Sequence, residues 1–136
     1  MFRINGDKGF LAMQGDVPLV PLDLKIDLSS AKPGPNGKCV LAYGEVTGHA
    51  HVIDSPRARR TIDAKICKRV EEHLKRIGVL SKTAVDPVVS VLEIDGTEPV
   101  DLVHEEHAPH RIPPGKHVQL RQVEYRPGDV PRTVAD

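Results

Sequence analysis

Histidine is the residue type that most strongly indicates chemistry in this sequence. Five of the seven histidines fall in two short segments that are far apart along the chain. The first segment contains His49 and His51. Residues two apart on a β-strand point to the same face, so both imidazoles can reach one metal ion. The alternative is that one histidine faces solvent and the other is packed in the core.

The second segment runs from His104 to His110 and carries two glutamates. It is not the helical zinc-protease motif, because His104 and His107 are three apart and Pro109 prevents a helix from continuing. We expect the segment to lie at a strand end and to fold back towards a neighbouring strand. Glu105 or Glu106 would supply a metal ligand, an acceptor for an imidazole N–H, or a general base. The alternative is a solvated polar loop.

Together the two segments predict a divalent metal site. Imidazole and carboxylate ligands suit zinc, iron, manganese or nickel, and nothing in the sequence selects one of these. A bound ion would activate water for hydrolysis or polarise a carbonyl or phosphoryl oxygen, although whether the chain is an enzyme stays open. The predicted metal ligands are His49, His51, His104 and His107, and the predicted catalytic groups are Glu105 and Glu106.

The distribution of proline and glycine predicts that these residues lie on or near β-strands. The chain has 12 prolines and 11 glycines, which divide it into pieces too short for a helical bundle. We expect a mainly β fold, a small barrel or sandwich. Asp95-Gly96 predicts a tight hairpin between 88–94 and 98–103. The predicted strands are 9–14, 17–22, 38–43, 49–54, 88–95, 100–104 and 117–125.

One segment has helical rather than strand periodicity. Apolar residues recur every three or four positions from Ile62 to Ile77, which predicts one inserted amphipathic α-helix at about 56–77. Ser55 or Thr61 is its expected N-cap, and Gly78 its expected end. We therefore expect a single domain over 1–136, a helical insertion at 55–86, a turn-rich loop at 32–38 and a tail at 126–136.

The predicted helical segment is basic. Between Ser55 and Gly78 there are eight basic and three acidic residues, which gives the segment a local charge of plus five. The segment could bind a phosphate backbone, although it has no aromatic side chain for base stacking. The alternative function is therefore a non-enzymatic assembly, virion or nucleic-acid-binding module. Its candidate contacts are Arg57, Arg59, Arg60, Lys65, Lys68 and Arg69.

Composition excludes several other classes. The 136 residues carry 19 basic and 19 acidic side chains, so the surface as a whole is not an electrostatic trap for nucleic acid. No apolar run approaches the roughly 20 residues of a spanning helix, and the first residues do not resemble a signal peptide. We expect no membrane partner and a cytoplasmic location, or a virion if the chain is phage-encoded. A small domain with few aromatic residues also favours a homo-oligomer.

Several sequence blocks resemble a family of small uncharacterised proteins from bacteria and phages. The main blocks are Gly44 to His51 and His104 to Pro109, supported by Gln14 to Val17, Pro113 to Gly115 and Arg121 to Tyr125. The resemblance implies no established activity. A weaker similarity links Gly44 to His51 and Pro113 to His117 with cupin β-barrels, but no glutamate follows His51 at the interval that cupins have. It bears on the fold class only.

Overall fold

A computed structural model provides the fold of the chain. It describes residues 12–14, 17–43, 50–104, 107–121, 123–124 and 132–133, with side chains at 17–42, 50–104 and 108–121. Within this part of the chain there is no helix with the length and apolar character needed to cross a membrane.

The described residues form short strands and a single α-helix. The strands are β1 (Ala12–Gln14), β2 (Val17–Pro21), β3 (Lys32–Pro33), β4 (Lys38–Tyr43), β5 (Ala50–Asp54), β6 (Ala58–Thr61), β7 (Val88–Ile94), β8 (Val100–His104), β9 (His107–Ile112), β10 (Gly115–Leu120), β11 (Val123–Glu124) and β12 (Arg132–Thr133). The helix is α1 (Ala64–Arg76), and a 3-10 turn at Pro35–Gly37 precedes β4.

The main strands are arranged in two antiparallel sheets. The larger sheet has the order β1-β2-β10-β7-β6-β3, and the smaller has the order β4-β5-β8-β9. β11 and β12 pair separately. The two main sheets form a sandwich-like arrangement rather than a closed barrel among the described strands. The prediction of a mainly β fold with one helix is therefore confirmed.

The larger sheet is the middle of three layers. Its face towards the smaller sheet buries one apolar cluster, which includes Leu19, Ile53, Leu92 and Leu102. Its opposite face buries a second cluster against α1 and the 22–31 loop, with Val70 and Leu74 of the helix at its centre.

Burial on both faces explains an irregular sequence pattern in β10. The alternation of polar and apolar residues is imperfect there, and the structure buries every residue from 117 to 120. The larger sheet is covered on both faces, by the smaller sheet on one side and by α1 and the 22–31 loop on the other, so β10 has no solvent-facing side on which polar residues would alternate.

The predicted hairpin is wrong, because its two strands lie in different sheets. β7 pairs with β10 and β6, whereas β8 pairs with β5 and β9 in the other sheet. Gly96 has a φ of +88°, as a tight turn there requires. The Arg57 guanidinium donates to the carbonyl oxygens of Asp95, Glu98 and Pro99, which fixes this connection as a crossing between sheets.

The helix begins later than predicted. Residues 58–61 form β6, and α1 begins at Ala64 with Asp63 as its N-cap, rather than Ser55 or Thr61. The Asp63 carboxylate accepts hydrogen bonds from the backbone N–H groups of Lys65 and Ile66, both at 3.0 Å. The apolar residues with helical spacing from Ile66 onward do lie on α1. Residues 58–61, in contrast, form a strand because they pair with β7. The expected loop at 32–38 likewise contains β3, the edge strand that pairs with β6.

Candidate metal-binding histidine pair

Two of the predicted ligands, His51 and His104, lie side by side. Their ring centroids are 4.2 Å apart, and the ring planes are inclined at 26°, in a stacked arrangement. His51 is on β5 and His104 ends β8, and these two strands are neighbours in the smaller sheet. Strand pairing therefore joins residues that are more than 50 positions apart in sequence, as the prediction requires.

The two rings differ in their access to solvent. His51 is only 4% exposed and shares the buried face of β5 with Ile53. His104 is half-buried and borders a shallow cavity of about 230 Å³. Val52 and Val103 line the same cavity, whereas His51 is not among its described lining residues.

The other predicted ligands are only partly described. The backbone register of β8 and β9 places His107 opposite His104, but only its backbone is described. His49, Glu105 and Glu106 lie outside the described residues. Among the described side chains no group of three or more His, Cys, Asp or Glu residues could hold a metal ion.

Two other described histidines, His117 and His73, have hydrogen-bond partners away from β5 and β8. His117 lies on β10 of the larger sheet, and its Nε2 donates to the Pro113 carbonyl oxygen at 2.8 Å. Burial lowers the pKa of His117, so the ring favours its neutral form. His73 lies on α1, where its Nδ1 is 3.4 Å from Arg76. The described ring-nitrogen contacts of His117 and His73 are therefore local, to Pro113 and Arg76 respectively.

The six candidate nucleic-acid contacts divide into two groups. Lys65, Lys68 and Arg69 are exposed on α1 and border one surface groove. Arg57, Arg59 and Arg60 are half-buried and precede the helix, on or beside β6. The sequence places all six in one basic segment, but the structure presents only the first three on the outer face of the helix.

Arg59 joins the 22–31 loop to the larger sheet. Its guanidinium contacts Glu93 at 2.7 Å and Asp95 at 2.8 Å, and it donates to the Leu28 carbonyl oxygen at 2.9 Å. Hydrogen bonding to Arg59 lowers the pKa of the Asp95 carboxyl. The same bond raises the pKa of the guanidinium. This arginine is thus fully engaged within the chain.

A buried polar network that sequence reasoning missed connects the two sheets. Gln119 accepts a hydrogen bond from Ser90 Oγ at 2.7 Å and donates to the Leu41 carbonyl oxygen at 2.9 Å. Arg60 also donates to Gln119 Oε1, at 3.3 Å. The sequence signal was a single polar residue, Gln119, between the apolar Val118 and Leu120.

With the fold and the histidine pair described, the family can be stated. The family described as Domain of unknown function (DUF8820) matches residues 13–122. The chain belongs to this family. The matched span includes both histidine segments and both main sheets.

This membership confirms the expectation of an uncharacterised family. No curated protein and no solved structure matches the chain. The bacterial or phage origin and the similarity to cupins stay predictions from the sequence blocks.

Proposed function

We propose that this protein binds a divalent metal ion through a histidine cluster centred on His51 and His104. His49 and His107 complete the ligand set, with Glu105 or Glu106 as a further ligand or proton acceptor. The observation that carries the proposal is the 4.2 Å separation of the His51 and His104 rings, which come from distant parts of the sequence.

Strand geometry supports the choice of the remaining ligands. His49 is two residues before His51, so extended backbone at that point would direct it to the same side of the sheet. His107 is opposite His104 in the backbone ladder. Glu105 and Glu106 form the two-residue connection between these two histidines, which keeps both carboxylates within a few residues of the cluster.

A metal ion held in this way would supply Lewis-acid chemistry. Histidine-rich sites that keep an open coordination position lower the pKa of bound water and produce a nucleophile near neutral pH. In the proposed reaction class, hydrolysis, Glu105 or Glu106 would serve as the proton acceptor. A substrate would approach the cluster from the side of the half-buried His104, which borders a cavity of about 230 Å³.

Metal content of the protein purified without a histidine tag tests the proposal. We expect about one divalent ion per chain by elemental analysis, and its loss in His104→Ala and His51→Ala. His73→Ala is the matched control, because His73 lies on α1, beyond the larger sheet. The half-buried His104 is the more informative position, since His51→Ala also removes buried volume. Metal-free wild-type protein that does not take up added metal would contradict the proposal.

The exposed cations of α1 favour one second candidate, binding of a nucleic-acid backbone. Lys65, Lys68 and Arg69 lie together on the outer face of the helix and border one groove, together with Glu72. Only Lys68 among the three cations has an ion pair in the described structure, and its distance to Glu71 is long at 3.7 Å. Binding of a labelled DNA duplex should weaken steeply with salt and with Lys65→Gln, but not with Lys82→Gln. Equal binding by both variants would contradict this candidate.

A further inference from the structure

A pocket at the edge of the sandwich carries a concentration of positive charge. Its volume is about 390 Å³, within the range of small-molecule sites, and it lies where β3 and β6 approach the start of β4. Three of its lining residues are the cations Lys32, Lys38 and Arg60. The other described lining residues are uncharged, so none of them contributes a carboxylate to the wall.

Strand pairing sets two of these cations directly against each other. Lys32 on β3 is the cross-strand partner of Arg60 on β6. Side chains in this relation share a face with Cβ atoms about 4.5–5.5 Å apart, and like charges there are destabilising. Within the described structure none of Lys32, Lys38 and Arg60 forms an ion pair. Arg59, the preceding residue, is by contrast neutralised by Glu93 and Asp95.

Arg60 also has an unsatisfied donor. Its Nε is buried and has no hydrogen-bond partner among the described residues, while its Nη2 donates to Gln119. Burial is the main cause that lowers the pKa of this guanidinium. A buried guanidinium donor without an acceptor is costly, and an oxyanion is the acceptor that suits it best.

The loop that borders the pocket is held close to β4. A Cβ added at Gly34 would lie 1.9 Å from the Lys38 carbonyl oxygen, so only glycine permits this approach. The close approach brings the loop that follows Lys32 against the strand that begins at Lys38. The cations are therefore positioned by backbone structure.

We propose that this pocket binds the phosphoryl group of a small phosphate monoester. Three cations match a dianion better than a monoanionic carboxylate, and a guanidinium can bind phosphoryl oxygens through its fork of N–H groups. The uncharged remainder of the wall, which includes Pro33 and the exposed Ile62, receives the organic part of the ligand. This inference does not rest on the metal site.

Calorimetric titration with phenyl phosphate and with inorganic phosphate tests the proposal. We expect saturable binding of phenyl phosphate, weakened about tenfold or more by Lys32→Gln, because the substitution removes a charge-assisted hydrogen bond to the phosphoryl group. Lys82→Gln, an equal charge change at another exposed lysine, should leave the dissociation constant unchanged. Lys32 is the cleanest position, since it is exposed and does not border the His104 cavity, whereas Lys38 borders both pockets.

A nuclear magnetic resonance titration provides a second measurement that does not depend on a variant. The Arg60 guanidinium N–H resonances of the wild-type protein should shift as phenyl phosphate is added, because the phosphoryl group binds beside the guanidinium. Absence of saturable binding in the millimolar range would overturn the proposal, as would equal binding by Lys32→Gln and Lys82→Gln. Tighter, Lys32-dependent binding of a short oligonucleotide would overturn the assignment to a small monoester.

Discussion

The buried amide of Gln119 gives the sharpest test of how the two sheets are joined. Gln119 is 4% exposed and makes hydrogen bonds to Ser90 on β7 and to the Leu41 carbonyl on β4. The Gln119→Leu substitution keeps a side chain of similar size but removes both the donor and the acceptor. It leaves the Ser90 hydroxyl and the Leu41 carbonyl oxygen without this partner in a buried environment.

The expected loss follows from those two groups and from the Arg60 guanidinium, which also loses Gln119 Oε1 as an acceptor. A buried polar group that loses its partner costs roughly 1–3 kcal/mol, and burial of the added apolar surface offsets part of the total. We therefore expect the free energy of unfolding to fall by about 3 kcal/mol. Ser90→Ala removes one of the stranded groups, so in the double variant about 1 kcal/mol of coupling between the two positions should be measurable.

Urea unfolding followed by circular dichroism is the assay, applied to the wild type, both single variants and the double variant. The dependence of the unfolding free energy on urea should stay constant, so that midpoints report stability directly. The reasoning would be refuted if Gln119→Leu left stability within about 0.5 kcal/mol of the wild type. Strict additivity in the double variant would show that the Ser90–Gln119 bond contributes nothing.

Three further predictions concern the helix, a buried histidine and the core. Asp63→Ala should lower the free energy of unfolding by about 1 kcal/mol, because two backbone N–H groups of the first turn lose their cap. Asp63→Asn should retain most of the stability. An unchanged urea midpoint for Asp63→Ala would argue against capping. His117 has a lowered pKa in the folded chain, so the unfolded state takes up a proton first and stability falls as the pH drops below about 6.5. His117→Gln should flatten that dependence, and equal slopes between about pH 7 and pH 5 would disprove the role of burial. Leu102→Ala should cost about 2–5 kcal/mol in urea unfolding, since the side chain is 1% exposed between the sheets; a cost under about 1 kcal/mol would place it outside the core.

Local sequence signals predicted most of the strands but not their partners. The positive φ at Gly96 follows from residue type, since Asp-Gly favours a tight turn. The destination of the chain after that turn depends on Arg57, which is 38 to 42 residues away and binds the carbonyl groups of the connection. No local pattern near Asp95 contains that information.

The helix boundary shows the same limit. Ile62 fits the helical period, yet it lies outside α1 and is 68% exposed. Residues 58–61 instead pair with β7, and a tertiary contact of this kind overrides local propensity. Asp63 marks the true start, because its carboxylate caps the first turn.

For the candidate site, as for the strands, the sequence predicted the local positions of the residues but not the strand pairing that brings them together. The His51 spacing on a strand and the His104 position at a strand end both came from local pattern, and their proximity required β5 and β8 to be neighbours. No local sequence pattern predicted the pocket lined by Lys32, Lys38 and Arg60. Lys32 and Arg60 are opposite only because β3 pairs with β6, and the sequence gives no indication that a two-residue strand would form there.

A cobalt titration of the metal-free protein tests the central claim most directly, because cobalt reports its ligands through visible absorption. The account predicts one equivalent of cobalt bound with nitrogen-ligand bands, and affinity lowered by more than about 100-fold in His104→Ala, since loss of even a supporting group costs about 10–100-fold. His73→Ala should titrate like the wild type. Wild-type protein that binds no cobalt, or His104→Ala protein with unchanged affinity and spectrum, would contradict the account.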